Sequence, residues 1–153
     1  MDALVFLLIA SYFLKKYKNS VMKELFSNIG YTFKDSSLVV SALTHKSFSS
    51  SNNERLEFLG DALINLYISE RLFKTYEGLD EGKLTRFKAS MVSRDNLNLI
   101  ASKLNIGSLI KLGRGEKLEG NSIQGNTFEA LIAVSYTHLR AHETDSYLVC
   151  RLL

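Results

Sequence analysis

Apolar residues recur along this chain at intervals of three and four, so the pattern is helical, and no segment alternates as a strand would over a useful length. Helices are predicted near residues 23 to 29, 36 to 44, 54 to 76, 82 to 92, 94 to 104 and 123 to 134. Asp35, Ser93 and Ser122 suit helix starts, and Gly30, Gly78 and Gly107 suit helix ends. Residues Ser49 to Asn53 read as a polar loop leading into the longest helix. The predicted architecture is an all-α bundle.

That longest helix carries two stripes. Leu56, Leu59, Leu63 and Leu66 cluster on one side and form the expected core stripe. Nearly opposite, Glu54, Glu57 and Asp61 fall within roughly a 60° arc, at about 100° per residue. Like charges at this spacing repel, and Arg55 is the only cation in the run from Asn53 to Asp61, so something must offset them. A divalent metal would do so. An acidic first turn facing solvent and favoured by the helix dipole gives the same triplet. Ile64 and Ile68 share the acidic side, which is therefore expected to be covered, and covered carboxylates need a counter-charge.

The run Asn126-Thr127-Phe128-Glu129 places oxygen ligands one turn apart on a second helix. Alone it is an ordinary helix start with Asn as cap. Facing the first helix, it would complete four or five hard oxygen donors. Such a set suits Mg²⁺ or Mn²⁺ and not zinc, since no Cys or His cluster accompanies it.

Composition narrows the reading. A chain of 153 residues at 46% hydrophobic suffices for one core. Its net charge of +3 is modest, but Lys83, Arg86, Lys88 and Arg94 follow one another with no acid between them, and could track phosphates or simply form a solvated face. Lys46 is a further candidate for phosphate contact. His45 has no Ser, Cys or Asp constellation near it in sequence and reads as structural. The single cysteine excludes an internal disulfide and agrees with a cytoplasmic setting.

Taken together, the ordered runs Ala42 to Phe48, Asn53 to Ala62 and Gly125 to Ile132 resemble the ribonuclease III endonucleases, which cut double-stranded RNA, and the resemblance covers about residues 22 to 134. It implies a ribonuclease III-type helical bundle. Glu57, Asp61 and Glu129 are implied as metal ligands or catalytic carboxylates, with Asn126 completing the set around Mg²⁺ or Mn²⁺. Asp61 and Glu129 would carry the catalysis, and Glu54, Lys46, Arg86 and Lys88 would lie near the RNA. Many family members carry Asp where this chain has Asn126. An amide oxygen can still coordinate Mg²⁺, though without charge.

The resemblance further implies a homodimer, with Phe58 inserting into the partner subunit. On the helical wheel Phe58 sits roughly 40° from Glu54, an apolar ring beside the acids. Another helix of the same chain could equally cover it. Two sites across one duplex would cut both strands, leaving 5′-phosphate and 3′-hydroxyl ends in rRNA or mRNA precursors. A small-molecule substrate is not expected.

Both ends differ from this domain. Residues 1 to 21 hold an apolar run from Ala3 to Leu14 followed by Lys15, Lys16 and Lys18, and Met22 would make a natural start. Twelve residues are too few for a membrane span, and a secretory signal would place its positive charge first. The tail from Val134 to Thr144 resembles translated sequencing-adapter segments, so residues 135 to 153 read as artefactual, with no evolved role for His138, His142 or Cys150. Three function classes follow: a Mg²⁺-dependent endonuclease of double-stranded RNA, a catalytically silent RNA-binding relative motivated by Asn126, and a membrane-associated helical protein motivated by the apolar N-terminal run.

Overall fold

Helix α1 (Ser36–Ala42) is the first described element of the computed structural model, which describes residues 36–119 and 122–140. It is followed by α2 (Glu54–Thr75), α3 (Glu81–Met91), α4 (Arg94–Lys103), a 3₁₀ turn (Ile106–Leu109) and α5 (Ile123–Arg140). The fold is all-α. Among the described residues the only extended pairing is an isolated parallel bridge between Thr44 and Lys111. The helix predicted at 23 to 29, the Asp35 cap, the Gly30 stop and the 1 to 21 extension lie outside the described residues. So do residues 141 to 153 and the side chain of His138.

Helix α5 is the centre of the bundle. Residues 127 to 135 are all buried, which is the pattern of a helix enclosed on every side. It packs most extensively on α2 and next on α4. Val39 and Ala42 of α1, Leu97 and Ala101 of α4, and Ile106 and Leu109 of the 3₁₀ turn complete the core. Buried Ser135 satisfies its hydroxyl on the Leu131 carbonyl at 2.9 Å, and the helix continues to Arg140, beyond the predicted end at 134.

The buried face of α2 is not the leucine stripe. Gly60, Ile64, Ile68 and Leu72 are buried, whereas Leu56, Leu59 and Leu63 are half-buried and Leu66 is 68% exposed. Gly60 is the physical reason. A Cβ added there would stand 1.9 Å from the Glu129 carbonyl oxygen, so the missing side chain lets the two helix backbones approach closely. The face centred on Gly60 therefore turns inward and brings the acids with it.

Capping fixes the remaining boundaries. Ser93 accepts from the Asn96 amide, as its sequence position predicts, and Asp80 does the same for Lys83 at the start of α3. α1 stops at Ala42, short of 44, because residues 43 to 45 turn to Lys111: its amide donates to the Leu43 carbonyl at 2.8 Å, and its carbonyl accepts from the His45 amide at 3.0 Å. Gly107 lies inside the 3₁₀ turn and ends no helix; Asn105, in the left-handed region at φ 55°, makes that turn. No described helix is long and apolar enough to cross a membrane.

Candidate active site

The start of α2 is held at both sides of its backbone. Asn53 donates its amide to the Thr44 carbonyl at 3.0 Å, while its buried side chain donates to Thr127 Oγ1 on α5 at 3.4 Å. Thr127 passes its own hydroxyl to the Ile123 carbonyl. Asn52 accepts from the Glu54 amide at 3.0 Å and so does the capping. These contacts register the first two turns of α2 against the first two turns of α5.

The register produces a cavity of about 390 Å³ lined by Glu54, Glu57, Asp61, Asn126 and Glu129, with Phe58, Val92, Arg94, Leu97 and Gly125 completing the wall. All four predicted metal-site residues thus face one space. Glu129 is the most enclosed, at 9% exposure. Burial, followed by the charges of Asp61 and Glu57, pushes its carboxyl up to about 7. Burial also pushes Glu57 up, opposed by a hydrogen bond from the Asn126 side chain and reinforced by the charge of Glu54. Asn65, one turn beyond Asp61, donates to both its Oδ1 and its carbonyl at 2.9 Å, which orients the carboxylate.

Among the described residues no three His, Cys, Asp or Glu side chains already close around one point as metal ligands. The donor chemistry nevertheless fits a hard divalent cation. Mg²⁺ binds through few carboxylates and retains water, so an open, acid-lined space with mutually repelling oxygen donors suits it.

The other predicted site residues separate into two places. Lys46 forms an ion pair with Glu54 at 3.1 Å on the exposed rim, and the carboxylate raises its pKa. Arg86 and Lys88 lie on α3 and do not line the acidic cavity; Lys88 borders a second cavity of about 260 Å³ with Leu72, Phe73 and Leu84. Phe58 is 80% exposed at the mouth. His45 Nδ1 meets Ser47 Oγ at 2.7 Å, a local structural contact.

Sequence reasoning missed Asn52, Asn53 and Asn65 as positioning residues and Gly60 as the contact point. The first two were absorbed into a polar loop, although Asn53 opens the specific run. Asn65 lies four residues after Asp61, at the spacing where side chains meet on a helix.

Known proteins bear on this geometry. A family sequence model described as Ribonuclease-III-like matches residues 35–148. Ribonuclease 3 of Nitrosomonas eutropha is 43% identical over 139 residues, covering 88% of this chain and 57% of that protein. The chain spans about half the length of the curated relatives it matches. Among solved structures, a nuclease domain of ribonuclease III from Campylobacter jejuni, described for flexibility in a region involved in dimer formation, superposes with a TM-score of 0.71 at 38% identity. That superposition covers 76% of this chain and 85% of that one. Dicer from Pichia stipitis shares the fold, with a TM-score of 0.57 at 24% identity over 71% of this chain and 47% of that one. The family match runs through every described helix, α1 to α5, and the chain therefore belongs to the ribonuclease III family.

Proposed function

We propose that this chain is a divalent-metal-dependent endoribonuclease that hydrolyses phosphodiester bonds in double-stranded RNA. The reading is carried by one observation: Glu57, Asp61, Asn126 and Glu129, from two facing helices, line a single cavity. Glu57, Asp61, Asn126 and Glu129 would hold Mg²⁺ or Mn²⁺. When bound, the ion supplies a lowered pKa for water and Lewis acidity toward the phosphoryl oxygens.

The chain's own residues do the positioning. Asn65 fixes the Asp61 carboxylate, which accepts a hydrogen bond from the attacking water and aligns it with phosphorus. Glu129 is partly protonated near neutrality and would give up that proton on holding a cation. As the water oxygen bonds to phosphorus it gives up a proton to solvent, the bond to the 3′ oxygen breaks, and that oxygen takes up a proton in turn. The products carry 5′-phosphate and 3′-hydroxyl ends, in the processing of rRNA and mRNA precursors in the cytoplasm.

Exposed Phe58, Leu66 and Phe73 run along one side of α2, an apolar stripe suited to a second copy of the chain. A homodimer would place one site on each strand of the duplex. The deciding experiment is incubation of the purified chain with a perfect RNA duplex and Mg²⁺. Cleavage is expected, and Glu129→Ala should abolish it while leaving duplex binding measurable. Cleavage at the normal rate in that variant would overturn the assignment. Asn126, which adds no charge to the site, favours a second reading as a silent duplex-binding relative; binding without cleavage in either Mg²⁺ or Mn²⁺ would establish it.

A further inference from the structure

One cation shares the acidic cavity. Of the basic residues that follow one another on α3 and α4, Arg94 alone borders the space containing Glu57, Asp61 and Glu129. Among the described residues it makes no salt bridge; the ion pairs seen there involve Lys46, Lys74 and Lys83. An arginine serving as counter-ion to the acids would be paired with one of them. No described acid pairs with it, which leaves its charge open to a ligand in the cavity.

The position of Arg94 is fixed by the surrounding backbone. It opens α4, directly after the Ser93 cap, whose hydroxyl also donates to the Ser90 carbonyl at 2.8 Å. The Asn96 side chain returns to the Met91 carbonyl at 2.6 Å and ties the turn from α3. One turn on from Arg94, Asn98 Oδ1 accepts from the Gly125 amide at 2.8 Å, joining α4 to the residue beside Asn126. Buried Leu97 anchors the same turn. The guanidinium therefore belongs to a wall held in register with Asn126 and Glu129 on α5.

From this arrangement we infer that Arg94 contacts the non-bridging oxygens of the phosphate being cleaved. A guanidinium presents paired donors that match two phosphate oxygens, and it stays charged at any working pH. The acids on α2 and α5 would hold the ion, and Arg94 on α4 would neutralise the phosphate from its own wall of the cavity. This assignment rests on the endoribonuclease reading and separates Arg94 from Arg86 and Lys88, which lie outside the cavity.

The test uses the full chain and a perfect RNA duplex. Arg94→Gln should lower kcat/KM by about 10- to 100-fold, the size of one charge-assisted hydrogen-bond contact, and Arg94→Lys should recover only part of that loss. In a Glu129→Gln background, where binding is read without cleavage, Arg94→Gln should weaken duplex affinity about tenfold and flatten the slope of log K against log salt by about one. A wild-type salt slope, with or without a lowered melting temperature, would make Arg94 structural and overturn the inference. If the wild-type chain neither binds nor cuts the duplex, the parent reading falls and takes this one with it. A duplex bound equally with and without Arg94 overturns this inference alone.

Discussion

Glu129 is a carboxyl group placed where it does not want to be charged. Burial and the neighbouring Asp61 and Glu57 raise it from 4.5 to about 7. Between those values the folded chain keeps a proton that the unfolded chain has lost, so its stabilising contribution is full below about 4.5 and disappears as pH rises through about 7. Melting of the metal-free protein in a chelator should accordingly show a fall in midpoint across this window. Glu129→Gln should reduce that fall, leaving the part due to Glu57, and melt higher than the wild type at pH 8, while being inactive. Added Mg²⁺ should raise the wild-type midpoint, and more at pH 8 than at pH 6, since ligation requires the ionised form. At this scale the sequence was informative because the acids fall one and two turns apart in a specific run. The contribution of Asn65 was hidden because a polar residue at that spacing usually faces solvent.

Between elements, the distance from α2 to α5 is set by a single absent side chain. Gly60→Ala places a methyl carbon 1.9 Å from the Glu129 carbonyl oxygen and must push the helices apart. Such overpacking costs about 1–3 kcal/mol, readable as a shifted denaturant midpoint, and it should depress cleavage far more than binding, because it splits the pair Asp61 and Glu129. A variant with unchanged stability and activity would show that the helices do not depend on this contact. The helix boundaries were legible in the sequence to within a residue or two for α2, α3 and α4, since caps such as Ser93 act locally. The inward face of α2 was legible only in part: the side of Ile64 and Ile68 was expected to be covered, but the core stripe was placed on the leucines. Its helical wheel carries two apolar arcs, one through Leu56, Leu59 and Leu63 and one through Ile64, Ile68 and Leu72, and periodicity alone does not say which meets a partner. The 3₁₀ turn was missed because four residues are too few to show a period.

For the whole molecule, the exposed stripe of Phe58, Leu66 and Phe73 bears on assembly. Truncating an aromatic anchor at an interface costs about 2 kcal/mol or more, roughly a thirtyfold weaker dimer. Under the proposed homodimer, sedimentation of Phe58→Ala should therefore show monomer at concentrations where the wild type pairs, with cleavage reduced in step. A variant that sediments as the wild type would assign the stripe elsewhere. The tie between Asn53 and Thr127 has a temporal counterpart, because its two ends emerge from the ribosome far apart. A nascent chain that has released α2 but not α5 displays Glu57 and Asp61 with no opposing wall. Under the proposed function, cleavage would await completion of the core, when α5 brings Glu129 opposite them.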